Sequence, residues 1–156
     1  MADVNYTAAA RVFNKIDAYL KARDWKYDKD VEKLKFTYQV GGDDLPMRFM
    51  LFVDAEREMI RSLSFLLFDF AEDKRIEGAI AVCAANYGMV NGCFAYDISD
   101  GTVLHRLAVS YKDIEVTNET VEYVMGLGMA MVDKYNDRFF ALNKGFLSLE
   151  DFIKGE

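Results

Sequence analysis

The sequence is poor in the residues that build disulfide scaffolds, metal sites and flexible linkers. It has two cysteines, one histidine and one proline in 156 residues. Two cysteines do not indicate a disulfide framework, and a single histidine nearly excludes a zinc site, because carboxylates would have to complete the ligand set. The lack of any tract rich in serine, glycine and proline argues against linkers. We therefore expect no metal and no cofactor.

The chain also lacks a surplus of basic residues and any long apolar run. Its formal net charge is −7, so a phosphate backbone would be repelled, and we expect no nucleic-acid partner. The longest apolar stretch, near residues 63–70, is too short to span a bilayer, so no membrane association is expected. The first residues show no secretion signal, which predicts a cytoplasmic protein with reduced thiols.

What the chain does contain is enough apolar surface for a packed core. Hydrophobic residues make up 52% of the sequence and aromatic residues 14%. A domain of this size buries roughly 70% of the surface of its unfolded chain, so it needs no covalent or metal support. We predict a single domain over residues 1–156, without disorder.

Three segments have apolar residues at helical spacing. The predicted helices are 6–23 after a cap at Asn5 or Asp3, 72–87 before Gly88, and a third helix from Thr117 or Asn118 to Gly145. In the second helix, one side is lined by Ile76, Ala79, Ile80, Cys83 and Tyr87. A last short turn is predicted after Ser148.

Alternation of apolar and polar residues predicts five strands. They are 31–40, 47–54, 59–68, a segment around 94–98, and 103–111. The residues Gly41-Gly42-Asp43-Asp44 predict a hairpin connection. Ser99-Asp100-Gly101-Thr102 predicts a second, tight turn with glycine in the left-handed conformation. The order α-β-β-β-α-β-β-α indicates an α+β fold with an antiparallel sheet.

Several short motifs follow one another in a familiar order and spacing. They are Trp25-Lys26-Tyr27, Asn86-Tyr87, Gly92 to Asp97, Asp100-Gly101, Asp133-Lys134-Tyr135, and Gly145 to Asp151. With these motifs the chain resembles the YbjN-like proteins, whose fold is similar to that of type III secretion chaperones. The resemblance is good from Ile76 to Ile153, and it departs from the family at Phe70-Ala71-Glu72, where a proline is frequent.

The resemblance implies an α+β, chaperone-like domain that is often dimeric and has no assigned enzyme chemistry. The family is described as one of bacterial sensory transduction regulators. That description implies no mechanism.

The residues themselves form no catalytic constellation. A nucleophile–base pair at His105 would need a partner such as Ser99, Ser110 or Cys93 within hydrogen-bond reach, and nothing in the spacing arranges one. We predict that His105 faces solvent or lies at an edge. Cys83 and Cys93 are predicted to be buried, inert thiols. No enzyme is expected.

Acidic residues of the second turn also have a structural interpretation. An EF-hand loop starting at Asp97 would need glycine at position 102 and glutamate at position 108, where the chain has Thr102 and Ala108. Asp97 and Asp100 are therefore predicted to bond backbone groups of the turn.

Gly126 and Gly128 fall inside the third helix, where each costs about 1 kcal/mol relative to alanine. They do not match a phosphate loop, because they do not follow a strand. Close helix packing would offset the cost, helped by Ala130. Packing inside the monomer and packing across a dimer are both open.

Apolar residues on two faces of the sheet give the main indication of function. The predicted second face comprises Met50, Phe52, Ile60, Leu66, Phe68 and Phe70. Helices could cover both faces, or the register of the strands could differ from the predicted one. Otherwise this face is a partner or dimer surface, together with Gly126 and Ala130, because monomers rarely expose large apolar patches.

Two functions of different classes fit these observations. The first is a non-enzymatic adaptor or chaperone-like regulator, homodimeric, which binds a protein or peptide segment through apolar surface or by strand addition at a sheet edge. The alternative is a small-molecule sensor with a pocket lined by Phe36, Tyr38, Phe94 and Tyr96.

Overall fold

The computed structural model of the protein describes residues 4–41 and 45–155. In chain order the elements are α1 (Tyr6–Ala22), β1 (Asp28–Asp30), β2 (Lys35–Gly41), β3 (Pro46–Asp54), β4 (Met59–Asp69), a 3₁₀ turn (Glu72–Lys74), α2 (Arg75–Tyr87), β5 (Cys93–Tyr96), β6 (Thr102–Ser110), α3 (Asn118–Asn143) and α4 (Leu149–Lys154). The predicted turn residues 42–44 and the alternative cap Asp3 lie outside the described residues.

The strands form one antiparallel sheet in the order β1-β2-β3-β4-β6-β5. Helix α1 packs on β3, α3 packs on β4 and β6, and α2 packs on β5. These three helices lie side by side on one face of the sheet. In the described part of the chain, no helix covers the other face.

The predicted fold class and order are confirmed, with one strand added at the edge. Strand β1 was not predicted, because its sequence Asp-Lys-Asp has no apolar alternation. It pairs with the start of β2, and residues 31–34 form the turn between them, so β2 begins at Lys35 instead of Val31. The predicted last turn forms the short helix α4.

The predicted N-terminal caps at Asn5, Thr117 and Ser148 are confirmed, whereas Gly88 ends α2 as its C-cap with a φ of −90°. The side chains of Asn5, Thr117 and Ser148 each accept a hydrogen bond from a backbone N–H three residues later, at 3.0, 3.3 and 3.1 Å. These bonds satisfy donors that have no partner inside a helix. Helix α3 ends where Gly145 adopts a φ of 76°.

The tight turn between β5 and β6 also has the predicted form. Gly101 has a φ of 86°, and its N–H donates to the carbonyl of Asp97 at 2.8 Å. The Asp97 carboxylate accepts the N–H of Ser99 at 2.9 Å, and Asp100 accepts the N–H of Thr102 at 2.8 Å. Both acidic residues therefore shape the turn.

This turn is fixed to the end of β4. The N–H of Phe70 donates to the Gly101 carbonyl at 2.9 Å. A Cβ on Gly101 would lie 2.3 Å from the Phe70 carbonyl oxygen. Glycine is required here both for its backbone conformation and for this close approach.

The core contains two aromatic clusters with a thinner region between them. Under α1, Phe13 stacks on Phe36 at 4.4 Å between ring centroids. The second cluster lies under the other helices and comprises Phe70, Phe94, Tyr135, Phe139 and Phe152. Between them Gly128 of α3 meets Ser64 of β4, where a Cβ would lie 2.6 Å from the serine Oγ. Small residues thus let α3 approach the sheet closely.

Candidate functional site

The face of the sheet that points away from the helices is lined by apolar and basic side chains. We call it the open face, and on the five strands other than β1 it comprises Lys35, Thr37, Gln39, Arg48, Met50, Phe52, Arg61, Leu63, Phe65, Cys93, Ala95, Leu104, Arg106 and Ala108. Cross-strand pairing places Met50 beside Leu63, and Leu63 beside Arg106. All fourteen residues are half-buried or exposed, so they present a continuous accessible surface.

The centre of the open face is basic, although the chain as a whole is acidic. Over these five strands the face carries Lys35, Arg48, Arg61 and Arg106, whereas the chain has a net charge of −7. The carboxylates on the same side of the sheet, Asp28 and Asp30 of β1 and Asp54 at the end of β3, lie at its margin. Asp54 lies one row beyond it and accepts a bond from Arg61 at 3.4 Å. In the described part of the chain, Arg48 and Arg106 form no ion pair. Two guanidinium groups are therefore available to an anionic partner.

These two arginines lie against their neighbours on the sheet. Arg48 stands over the ring of Phe65, 5.0 Å from its centroid. Arg106 Nε donates to the Sγ of Cys93 at 3.3 Å. Cation–π contact of this kind holds a guanidinium near an apolar surface without removing its charge.

A second apolar surface lies on the outer side of α2. We call it the α2 stripe, and it comprises Ile76, Ile80, Cys83 and Tyr87, which are exposed side chains one or two helical turns apart. Ile76 is 65% exposed and Tyr87 is 96% exposed. The opposite side of α2, with Gly78, Ala81, Val82 and Ala85, is the buried one. These residues therefore share one side of α2, as the sequence predicts, but that side faces outward.

Two clefts of about 510 Å³ each adjoin the helices. One continues from the α2 stripe and is lined by Tyr87, Val90, Tyr123, Leu127 and Met131, among others. The other lies between α1 and the loop after β6, with basic residues on one side and acidic residues on the other. In neither does a buried, unpartnered polar side chain line the cleft.

The predicted second sheet face is wrong in its grouping. Met50 and Phe52 lie on the open face, but Ile60 and Leu66 are buried on the helix side. The reason is the register of the hairpin formed by β3 and β4, which pairs Phe52 with Arg61. Because these two residues share the open face, the even-numbered residues of β4 point toward the helices.

The last two residues of that predicted surface also belong to the helix side. Phe70 is buried beneath Gly78 of α2, where a Cβ would lie 2.8 Å from its ring. Phe68 is half-buried, with its ring edge-on to Phe140 at 5.4 Å. An irregular register between β4 and β6 after Phe65 accompanies this change.

The small residues of α3 separate into two groups. Gly128 packs on the sheet inside the monomer. A Cβ at Gly126 would meet no atom within 4 Å, and Ala130 is exposed. Gly126 and Ala130 therefore have no packing role within the monomer, and their part in a dimer stays a prediction.

The prediction that His105 faces solvent is wrong. It is fully buried on the helix side of β6, opposite Ser64 and edge-on to Phe94 at 5.4 Å. Gly92 covers it, since a Cβ there would lie 2.5 Å from Nε2. Among the residues that the structure describes, neither ring nitrogen finds a hydrogen-bond partner, and burial lowers the pKa of His105 to about 4. It lacks the orienting group that a general base needs.

The prediction that both cysteines are buried is also wrong. Cys83 is exposed on the α2 stripe, and Cys93 is half-buried on the open face. Because α2 turns its small residues inward, the sulfur-bearing side falls on the outside.

The predicted aromatic pocket does not form. Phe36, Tyr38 and Phe94 are buried core residues, and Tyr38 stacks on Phe49 at 5.2 Å between centroids. Tyr96 donates its hydroxyl to the Arg75 carbonyl at 2.9 Å. Packing of these rings against α1 and α3 leaves them no shared cavity, which removes the observation behind the sensor hypothesis.

A buried carboxylate fixes the unpredicted strand β1 to helix α1. Asp17 accepts bonds from Tyr27 and Lys21 at 2.7 Å and from Lys29 at 3.1 Å. Burial raises the pKa of Asp17, but these three bonds outweigh it and bring the pKa to about 2. The three donors lie in α1, in β1 and in the segment between them. The cluster therefore joins two neighbouring elements and has a structural role.

Both edges of the sheet are poor templates for strand addition. On β5, the N–H and C=O of Phe94 are both bonded to the side-chain amide of Asn86, at 2.7 and 2.9 Å. At the opposite edge, β1 is three residues long and carries alternating charges. Short and charged edge strands are those that proteins use to prevent pairing with other chains.

Metal and membrane sites have no counterpart in the residues that the structure describes. Over 4–41 and 45–155, no three side chains of His, Cys, Asp or Glu cluster closely enough to hold a metal ion. Among the helices of the same residues, none has the length and apolar character needed to cross a bilayer.

Comparison with known proteins gives a family and several similar structures. The YbjN family, described as "Putative bacterial sensory transduction regulator", matches residues 13–141. No curated protein matches the chain.

Three solved structures share the fold at low sequence identity. The crystal structure of YbjN, a putative transcription regulator from E. coli, has a TM-score of 0.62 and 9% identity, covering 81% of this chain and 92% of that one. The ExsC-ExsE complex has a TM-score of 0.56 and 13% identity, covering 83% and 93%. The HopA1-SchA chaperone-effector complex has a TM-score of 0.51 and 13% identity, covering 82% and 96%.

Proposed function

The chain belongs to the YbjN family, and on this premise we propose that it is a non-enzymatic, chaperone-like adaptor that binds a protein or peptide segment. It acts in the cytoplasm as a single YbjN-like domain over residues 1–156. Two of the similar structures are complexes of two proteins, one of them a chaperone with an effector. Its two free cysteines fit a reducing compartment.

The observation that carries this proposal is the open face. Aromatic and aliphatic side chains such as Phe52, Leu63 and Phe65 lie there without a covering helix in the described part of the chain. An apolar surface rimmed by charged residues is typical of protein interaction sites. The absence of a catalytic arrangement around His105 agrees with a binding role.

We further propose that two copies pair through the α2 stripe. Two such helices packed antiparallel about a two-fold axis would place Ile80 beside the partner's Cys83 and Ile76 beside the partner's Tyr87. Such an interface uses the same surface on both copies, as two-fold symmetry requires. All four side chains are uncharged, so no like-charge repulsion opposes the contact.

Photo-crosslinking in cells tests protein binding. A benzoylphenylalanine at Met50 of the open face is expected to form adducts with another polypeptide, whereas one at exposed Ile153 of α4 is not. Mass spectrometry of the adducts then identifies the partner. Equal labelling from both positions, or none from Met50, would contradict the proposal.

Light scattering after size exclusion tests the dimer. Ile80→Asp places a charge in the middle of the α2 stripe and is expected to give monomers. Ile114→Asp, at another exposed isoleucine after β6, is expected to leave the dimer intact. In a Cys93→Ser background, a short bismaleimide is expected to join Cys83 of the two copies. A wild-type monomer at tens of micromolar would overturn the homodimer.

A further inference from the structure

We propose that the open face binds an acidic amphipathic helix of its protein partner. This inference rests on the proposed function and narrows the partner to one kind of segment. It follows from four observations: the charge of the face, its apolar side chains, the paired backbone of the sheet, and the width of the surface.

The charge of the open face selects an acidic partner. Side chains that are paired across the strands form rows on this face. Each of the three central rows contains one arginine, in the order Arg61, Arg106 and Arg48. Of the three, only Arg61 forms an ion pair within the described residues. A basic centre with carboxylates only at its margin, in a chain of net charge −7, favours acidic ligands and disfavours basic ones.

The apolar side chains between the arginines require a partner that also has an apolar side. Met50 and Leu63 are neighbours at the centre of the face, and Phe65 is flanked by Arg48 and Leu104. A purely anionic ligand would leave these side chains in water. The complementary surface therefore alternates apolar and acidic groups.

The state of the sheet favours a helix over an extended strand. Backbone groups in the middle of the sheet are already paired, so a ligand lying on the face gains no backbone hydrogen bonds from it. Asn86 occupies the bonding groups of Phe94 on the β5 edge, which disfavours strand addition there. A helix satisfies its own backbone groups and needs only side-chain contacts.

The dimensions of the face match a short helix. Five strands spaced about 4.8 Å apart span about 19 Å, which a helix of about 13 residues crosses at 1.5 Å per residue. Arg48 and Arg106 are two strands apart, or roughly 10 Å across the sheet. Acidic residues two helical turns apart in the ligand would reach both.

Designed peptides test the proposal directly. Three helical peptides share one leucine stripe and carry only glutamate, only glutamine or only lysine at the flanking positions, and their binding is measured by fluorescence anisotropy at low and high salt. We expect the glutamate peptide to bind about tenfold more tightly than the glutamine peptide, since a few exposed ion pairs amount to a factor of this order. This advantage is expected to shrink with added salt.

Matched variants locate the site. Arg48→Glu with Arg106→Glu is expected to reverse the order of the three peptides. Arg11→Glu with Lys15→Glu, on α1, changes the net charge equally and is expected to preserve it. Circular dichroism confirms that each variant is folded.

Each contrary outcome has a separate meaning. Equal binding of all three peptides, lost on Leu63→Asp, would overturn the acidic preference and leave protein binding in place. No binding of any peptide would overturn helix docking, while the Met50 crosslink still reports on the proposed function. Competition by a single-stranded DNA oligonucleotide would show a general anion surface and overturn the assignment to a protein helix.

Discussion

Both faces of the sheet carry apolar side chains, but the helix side carries more of them, and the two faces differ in what accompanies them. On the helix side, Ser62, Ser64 and His105 are buried among aromatic residues. On the open face, Leu63 and Phe65 of the same strand β4 are accessible beside arginines. An apolar residue on a strand is therefore not by itself a core residue. The register of the strands and the position of the helices decide which apolar residues form the core.

The helix side is shaped by how closely α3 approaches. Gly128 and Ser64 meet where a larger pair would separate helix and sheet. The open face has no such constraint, so it can carry bulky rings and long cations. This difference in constraint gives each face its own expected response to substitution.

The largest expected contrast lies within one strand. Phe49→Ala removes a fully buried ring and is expected to lower the free energy of unfolding by about 3–5 kcal/mol. Phe52→Ala, three residues on and on the open face, is expected to cost about 1 kcal/mol or less. Urea unfolding at one fixed protein concentration measures both. Similar losses would mean that the open face is packed as tightly as the core.

Acid sensitivity is expected to come from the helix side. The pKa of His105 is about 4 in the folded protein and about 6.5 when unfolded. The stability that depends on a neutral His105 is fully present above pH 6.5 and is lost as the pH falls toward 4. The free energy of unfolding decreases by about 3 kcal/mol in total. Unfolding curves at pH 7, 5.5 and 4.5 measure the slope of the free energy of unfolding against pH.

Two variants show whether that slope belongs to His105. His105→Leu is expected to remove the slope, whereas Arg106→Gln, its neighbour on the open face, is expected to keep it. Asp17 does not interfere, because its lowered pKa of about 2 means that its contribution is lost only below about pH 4. A slope that persists in His105→Leu would contradict the assignment.

The smallest expected contrast lies within α3, the helix that covers the sheet. Gly128→Ala is expected to cost about 1–2 kcal/mol because its Cβ would meet the Ser64 Oγ. Gly126→Ala is expected to stabilise by up to about 1 kcal/mol, since it gains helix propensity in open space. Thermal unfolding of both, at matched concentration, measures the difference.

A second substitution tests whether the Ser64 hydroxyl causes the cost of Gly128→Ala. Ser64→Ala removes the clashing oxygen and leaves its Cβ 3.9 Å from the new methyl group, so it is expected to rescue Gly128→Ala. Lack of rescue would mean that the backbone of α3 has moved. Conversion of Gly126→Ala to a monomer would place Gly126 and Ala130 in the dimer interface.

Local chemistry allowed much of the fold to be predicted. Asn5, Thr117 and Ser148 cap helices because each offers a side-chain acceptor at the required position. Gly101 adopts a positive φ because the turn needs one. These features depend on residues close together in sequence, so periodicity and turn chemistry were sufficient.

The orientation of the surfaces could not be predicted in the same way. Whether Ile80 and Cys83 face in or out depends on which side of α2 packs on the sheet, and small residues on the other side decided it. The burial of His105 depends on the pairing of β6 with β4 and β5. Such long-range pairings have no local signal, although Gly92 and Gly128 do indicate close approach.

The amide of Asn86 has a consequence for how the protein assembles. It bonds the outer groups of Phe94 as another strand would, so it blocks strand pairing at this residue of the edge. Growth by edge pairing gives open-ended filaments, whereas a two-fold contact between helices is complete once two copies have met. The Asn86 side chain thus favours a finite assembly over an endless one, and its loss would expose the edge from which fibres begin.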